Sequence, residues 1–354
     1  MTDRGGPPRL DVVFLGTSGF AAPCLRAVHR AHRVRAVVTQ PDRPAGRGRR
    51  LLRSEIGHIA DELGLPLLQP KRIRLRRSWA PVAARKPDVL VVADYGQILS
   101  RRLLAVPRLG AVNVHASLLP RLRGAAPAIW AVARGHRRTG VTTMLMDVGL
   151  DTGPILLQRE TEITDCDTGG SLLGRLAPIG AEVLLDTLDG LDRGVLRPRP
   201  QNDAAATWAP RITRVDAALD WELGAASLAS RVRAFSPRPT AFTRTGPGGP
   251  FGAGPLRVHA ATVGPPNDAV PAPPGSFAVV GSRARPEIAI RCGGEETLRP
   301  QMVQAAGRRK MAVADLLRGT ILSRGWKPFH GRFLDRATAA ANDDPNPGES
   351  KVRD

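Results

Sequence analysis

The first half of the chain alternates short, nearly continuous apolar runs with stretches of helical periodicity. LDVVFLG (10–16) ends in glycine, precedes a helix expected over Ala21–His29, and gives way to a second run, VRAVVTQ (34–40). That order is a β-α-β opening. A helical stretch over Ile56–Leu63 precedes DVLVVAD (88–94), and GAVNVHAS (110–117) and VTTMLMDV (141–148) follow. Strands apolar at successive positions are buried on both faces, so the pattern predicts an α/β domain with a mostly parallel sheet between helices. Leu172, Leu173, Leu176, Ile179, Val183, Leu184 and Leu188 then recur at helical spacing. Pro178 interrupts them, and its missing N–H and ring clash should kink or break that helix. The first domain is expected to span residues 8–190.

The next stretch, GLDRGVLRPRPQNDAAATWAPRITR, has little periodicity and several Pro, Gly and Arg residues, so residues 191–214 are expected to form a linker or connecting arm. A helix over Ala225–Phe235 and the short runs TAFTR, LRVHAATV, GSFAVV, EIAIRC and TLRPQMV follow, separated by Gly- and Pro-rich turns. Such a series predicts a small β-barrel over residues 215–325. Residues 326–354 end in ATAAANDDPNPGESKVRD, too polar to join a core, and are expected to be a disordered tail.

Composition narrows the function classes. A chain of 354 residues with 42% hydrophobic content is large enough for two cores. No apolar run reaches the roughly 20 residues needed to span a bilayer. The opening MTDRGGPPRL has neither a signal-peptide core nor an amphipathic transit pattern, so a cytoplasmic protein is expected. Cys24, Cys166 and Cys292 lie far apart without a CxxC spacing, which gives neither a disulfide framework nor a metal site. The net charge is +20, with five lysines against 47 arginines. Phosphate binding and a compositionally biased genome both produce such a surplus, so clustering decides more than the total. Arg43, Arg47, Arg49, Arg50 and Arg53 fall close together, and Lys71, Arg72, Arg74, Arg76 and Arg77 follow.

Candidate chemistry concentrates on Asn113-Val114-His115, where open parallel sheets present their ligand crevice. Strand alternation puts Asn113 and His115 on one face. After the next strand comes MDVGLDTGP, with Asp147 and Asp151 beside glycines. Taken singly these are an interior histidine and turn-capping acids; together at successive strand ends they suit acyl transfer to an amine. A positioned Asn113 donor is worth roughly 10²–10³ in rate against a developing oxyanion. General acid–base help from His115, oriented by Asp151, is worth roughly 10²–10⁴. FLGTSGF has Ser18 where a dinucleotide loop wants a close-approach glycine, and PDRPAGRGRR lacks the GK[ST] ending of a phosphate-binding loop. Neither NAD binding nor nucleotide hydrolysis is therefore expected.

NVHASLLPRLRGAAPAIWAV (113–132) and TGVTTMLMDVGLDTGPILLQ (139–158) resemble the signature of the methionyl-tRNA formyltransferases within the folate-dependent formyltransferase family. The resemblance extends over VFLGTSGFAAPCL, TQPDRPAGRGRRL, APRITRVDAALDW, AFSPRP and LRPQMVQAAGRRKMAVADLLRG, so that roughly residues 10–320 are covered. It implies a Rossmann-like domain followed by a smaller OB-like β-barrel domain that helps hold tRNA. It implies Asn113, His115 and Asp151 as the catalytic trio and Ser117, Leu118, Leu119 and Pro120 as lining of the folate site. PDVLVVADYG (87–96) would form a wall of the pterin pocket, and Arg43, Arg47, Arg49 and Arg50 would meet tRNA. The implied co-substrate is 10-formyltetrahydrofolate, the partner initiator methionyl-tRNA, and the oligomeric state a monomer, with no metal and no membrane.

Asp94 stands where that family has a small or apolar residue, and SEIGHIA (54–60) replaces a Pro-Val-Lys-like stretch. Pro178, the Pro/Gly-rich insert at 264–275 and the residues after Trp326 also depart from the pattern. The rival enzyme is an amino-sugar-nucleotide formyltransferase, against which the basic loop argues. A hydrolase releasing the formyl group to water would need no such basic surface. The rival outside enzymes is an RNA-binding protein on the same scaffold, whose mark would be loss of Asn113, His115 or Asp151; all three are present.

Overall fold

The computed structural model describes residues 10–45, 50–245, 254–268, 270, 273–282, 284–324 and 330–332. They group into two compact units. The first comprises Met1–Ala128, Arg137–Ile163 and Ser171–Arg211, and the second Ile129–His136, Thr164–Gly170 and Ile212–Asp354.

In chain order the elements begin with β1 (Asp11–Gly16), α1 (Ala21–Ala31), β2 (Arg33–Val38), β3 (Arg43–Ala45), β4 (Arg50–Leu52), α2 (Glu55–Glu62) and β5 (Leu67–Leu68). They continue with α3 (Arg76–Ala83), β6 (Val89–Ala93), α4 (Arg101–Leu104), β7 (Ala111–His115), α5 (Pro127–Ala133), β8 (Arg138–Leu145), β9 (Ile155–Glu162) and α6 (Gly169–Asp192). The main sheet runs β5-β2-β1-β6-β7-β8-β9. Pairing is parallel from β5 through β7, whereas β8 pairs antiparallel with both β7 and β9. VTTMLMDV was expected in the parallel set; its strand part belongs instead to β8, which pairs antiparallel with both of its neighbours. β9, ILLQRETE, carries apolar residues only at its start and is exposed over much of its length, as an edge strand can be.

The parallel strands are apolar because both faces are covered. All five residues of β6 and all five of β7 are buried, and each fully buried Val or Leu contributes about 1.5–3 kcal/mol. Gly16, at the turn from β1 into α1, cannot bear a side chain: a Cβ there would lie 2.8 Å from Phe14 Cε1 and 2.9 Å from Ala21 Cβ. The close packing of strand on helix, rather than a bound pyrophosphate, explains this glycine. α6 runs unbroken through Pro178 for 24 residues, so of the kink or break expected there the break does not occur. Burial of Leu172, Leu176, Val183, Leu184 and Leu188 on one side of it outweighs the one hydrogen bond the ring removes.

The arm after α6 is not a free tether. Arg199 exchanges both backbone hydrogen bonds with Ile155, at 2.8 Å each, and Trp208 forms a bridge with Arg123.

The second unit contains α7 (Ala225–Ala234), β10 (Ala241–Thr245), β11 (Gly254–Gly264), β12 (Ser276–Gly281), β13 (Pro286–Arg291), β14 (Thr297–Ala305), β15 (Met311–Ala312), α8 (Val313–Arg324) and β16 (His330–Arg332). Its sheet runs β10-β11-β14-β13-β12-β16, with β15 on β14, and is antiparallel throughout. Trp221, Leu228, Phe235, Phe242, Phe277, Ile290, Leu298 and Leu317 form its core. His330–Arg332 falls within the stretch expected as a disordered tail, yet its backbone pairs with Ser276–Ala278. The remainder of residues 326–354 lies outside the described residues.

Candidate active site

β7 presents Asn113 and His115 from one face, and pairs with β6 through Asn113 opposite Val92 and with β8 through His115 opposite Thr142. Val114 points the other way, toward Gly180 of α6, where a Cβ would approach its Cγ1 to 3.0 Å. A helix thus covers one face of β7 while the polar face meets two loops, residues 116–126 and 146–154.

The second loop carries Asp151 into contact with both side chains. Asn113 Nδ2 donates to Asp151 Oδ1 at 3.4 Å, and His115 Nδ1 lies 3.7 Å from Asp151 Oδ2. The backbone N–H of Gly124 also donates to Oδ2, at 2.8 Å. On the far side of the imidazole, Nε2 faces the Leu122 carbonyl oxygen at 2.9 Å. Both ring nitrogens therefore face oxygen atoms. Asn113 is 9% and His115 5% exposed, so their interactions are made in a poorly solvated environment where electrostatic effects are strong. Asp151 and Leu122 both hold positive φ, 55° and 60°, although neither is glycine. Such backbone persists only where its surroundings over-determine it.

Those surroundings come from residues that no local sequence pattern singles out. Gln201 Nε2 donates to the backbone oxygens of Asp151 (2.9 Å) and Gly153 (2.7 Å), while its Oε1 accepts from Arg123 Nε (3.0 Å) and Nη2 (2.8 Å). Arg123 is 3% exposed and also pairs with Asp203 at 2.6 Å. Thr207 Oγ1 accepts from Leu122 N at 2.8 Å, and the backbones of Arg123, Thr207 and Ala209 exchange two further hydrogen bonds. Polar residues in an aperiodic arm carry no local signal of such a role. The PQ and TW steps could have been found only by knowing which loop the arm crosses.

Ser117, Leu118, Leu119 and Pro120 form the turn after β7. The Ser117 hydroxyl donates to Arg121 O at 2.7 Å, and Ser117 and Leu119 are buried, whereas Leu118 and Pro120 are half-buried. Thr142 holds the turn: its hydroxyl donates to Ser117 O (2.6 Å) and accepts from Leu119 N (3.1 Å). Gln158 Nε2 adds a bond to Leu119 O at 2.9 Å. Asp147, the other acid of its loop, caps the turn by accepting from Gly149 N (2.9 Å) and Thr152 Oγ1 (2.7 Å), and so has a structural role there.

The 94–96 segment meets the turn after β1. Asp94 is exposed and accepts from the Ser18 hydroxyl, and the Tyr95 carbonyl accepts from Thr17 Oγ1 (3.0 Å) and Gln40 Nε2 (2.8 Å). Tyr95 is buried, its hydroxyl has no hydrogen-bond partner among the described residues, and burial pushes its ionisation up. Gln40 in turn accepts from Arg43, which stands exposed at the base of the β3-β4 hairpin. Arg47 and Arg49 lie outside the described residues, and Arg50 is described only through its backbone pairing with Ala45. Among the described residues no group of three or more His, Cys, Asp and Glu could hold a metal ion, and no helix is long and apolar enough to cross a membrane.

The Formyl transferase family pattern matches residues 10–188, and the Formyl transferase, C-terminal domain pattern matches residues 211–320. The methionyl-tRNA formyltransferase of Chromohalobacter salexigens is 44% identical over 311 residues, 87% of this chain and 93% of its own length. That of Geobacter metallireducens is 39% identical over 91% of this chain and 99% of its own. Among solved structures, an N-formyltransferase from Helicobacter canadensis, in complex with folinic acid and dTDP-3-aminofucose, superposes with a TM-score of 0.56. It is 14% identical, with 82% of this chain and 98% of that one covered, and the likeness is one of fold.

Proposed function

The chain belongs to the methionyl-tRNA formyltransferase family, and from that premise we propose that it moves the formyl group of 10-formyltetrahydrofolate onto the free amine of methionyl-initiator tRNA. The observation that carries the proposal is the convergence of Asn113, His115 and Asp151 in one buried cluster. Asn113 has one long side-chain hydrogen bond, to Asp151 at 3.4 Å, which leaves donor capacity for the formyl oxygen. That oxygen gains charge as the amine adds, and a donor already fixed on a buried strand stabilises it without reorganising.

The α-amine, with a reference pKa of about 7.7–8.0, is partly protonated near neutrality and must shed its protons to attack and to complete the amide. His115, held between Leu122 O and Asp151, is the group placed to move them. The bond from the amine to the formyl carbon forms, the bond from that carbon to folate N10 breaks, and the proton leaving the amine ends on N10. Asp151 keeps the imidazole oriented and balances its charge.

The folate would lie against the turn 117–120. The Ser117 hydroxyl is engaged within the turn and the Leu119 side chain packs on Met144 and Ile155, so the half-buried Leu118 and Pro120 would supply contact surface, while Ser117 and Leu119 set its shape. The 94–96 segment would wall the pterin. Arg43, Arg47, Arg49 and Arg50 would meet the acceptor arm, giving affinity that falls steeply with salt. The protein would act as a cytoplasmic monomer, the second unit helping to hold the tRNA, with 8–190 as the catalytic domain and 215–325 as the tRNA-binding domain. The test is a formylation assay with 10-formyltetrahydrofolate and three acceptors: methionyl-initiator tRNA, the uncharged tRNA and a dTDP-amino sugar. Formyl-methionyl-tRNA as sole product is expected; formylated amino sugar would transfer the assignment to the rival enzyme.

A further inference from the structure

Asp151 is held at two ends. Its carboxylate is fixed by the Gly124 N–H, and its backbone oxygen by the side chain of Gln201, 50 residues downstream. The same amide group grips Gly153 O, so the two residues flanking Thr152 are tied to one side chain. Its oxygen faces the other way, onto Arg123, whose chain neighbours supply the remaining contacts of the cluster: Leu122 O on His115 and Gly124 N on Asp151. Gln201 therefore joins the loop that carries the carboxylate to the loop that fixes the imidazole. Two N–H donors face two carbonyl oxygens and one oxygen faces the guanidinium, an orientation that a flipped amide would reverse into clashes of like polarity.

We propose that Gln201 is a positioning residue for this reaction, setting the distance between Asp151 and His115 by tying the loop that carries Asp151 to the loop whose Leu122 carbonyl holds the imidazole. The inference rests on the catalytic reading of Asn113, His115 and Asp151. A carboxylate on a left-handed backbone, φ 55°, has no regular secondary structure to hold it, and Gln201 supplies the missing anchor. Displacement of a catalytic group by about 1 Å is enough for a loss on the order of 10²-fold. Leucine at 201 retains the length of the side chain and removes every polar contact. Glutamate keeps an acceptor for Arg123 but turns carboxylate oxygens toward the carbonyls of Asp151 and Gly153.

The experiment measures kcat and both KM values for the full-length enzyme carrying Gln201→Leu, Gln201→Glu, Asp151→Asn, and Gln201→Leu with Asp151→Asn, with 10-formyltetrahydrofolate and methionyl-initiator tRNA. For each 201 variant kcat is expected to fall about 10–100-fold, with both KM values within about twofold of wild type. If Gln201 acts through Asp151, the double variant is no slower than Asp151→Asn alone, since groups that act as a unit do not multiply. Losses that multiply, a wild-type kcat in Gln201→Leu, or full activity in Gln201→Glu would each overturn the proposal. A wild-type kcat in Asp151→Asn would instead overturn the catalytic reading beneath it. The Glu variant preserves shape and the Arg123 contact, so it supplies the kcat reading should the Leu variant not fold.

Discussion

Replacing Gly124 by alanine tests how closely the arm after α6 is applied to the active site. Gly124 has φ +121°, and a Cβ built there lies 2.6 Å from the Ala209 carbonyl oxygen. Both atoms belong to backbone or sit directly on it, so no side chain can swing aside. An ordinary C···O contact is about 3.3–3.6 Å, which requires one segment to retreat by about 0.7 Å. Moving the 122–124 side stretches the Gly124 N–H contact to Asp151, now 2.8 Å, toward the limit of a hydrogen bond. The conformation itself costs on the order of 1–3 kcal/mol for a residue with a Cβ. The variant should therefore lose about 1–3 kcal/mol of stability and about 10–100-fold in single-turnover formylation rate. Urea unfolding gives the first quantity and rapid-quench formylation the second. A variant unfolding with wild-type stability and reacting within twofold of the wild-type rate would show that residues 207–209 do not press on this loop, and the account of how Asp151 is held would fail.

Thr142→Val keeps the shape of a buried side chain and removes its hydroxyl, stranding Ser117 O and Leu119 N. A cost of about 1–3 kcal/mol in urea unfolding is expected, together with a rise in KM for the folate larger than any fall in kcat; the reverse split would place turn 117–120 away from the folate. Burial raises the Asp88 pKa, but the Asp11 N–H and the Arg108 guanidinium lower it by more, leaving the carboxyl below its ordinary value. An unfolded chain then binds more protons in acid, so the stabilisation is complete above the unfolded pKa of about 3.9 and is lost as pH falls through the folded value. Asp88→Asn should therefore lower Tm near neutrality, with the gap closing in acid; a gap independent of pH would refute the assignment. Burial pushes the Cys24 thiol up to about 12 and the Cys292 thiol up to about 11, whereas Cys166 is exposed. A thiol reagent should label Cys166 alone in the native protein and all three after unfolding, and rapid native labelling of Cys24 would contradict its burial.

The sequence made legible what depends on local pattern. Continuous apolar runs marked β1, β2, β6 and β7 because strands covered on both faces need no polar positions, and alternation put Asn113 and His115 on one face. The direction of β8 left no such trace, since an antiparallel strand inside a sheet is as buried as a parallel one. Pro178 does not break its helix, because the buried leucines on either side of it decide the helix through packing. Asp151 could be singled out by its glycine-rich turn and its resemblance to a known signature. Gln201, Arg123 and Thr207 could not: their contacts span 48 to 85 residues, and nothing in an aperiodic arm shows which loop it crosses.

The most direct test of the central claim compares single-turnover formylation by the wild type, Asn113→Ala and His115→Ala, each shown by near-UV circular dichroism to be folded, at saturating 10-formyltetrahydrofolate and methionyl-initiator tRNA. Losses of roughly 10²–10³ are expected for Asn113→Ala and roughly 10²–10⁴ for His115→Ala, with tRNA binding retained by both. Formyl-methionyl-tRNA produced at the wild-type rate by either variant would contradict that claim.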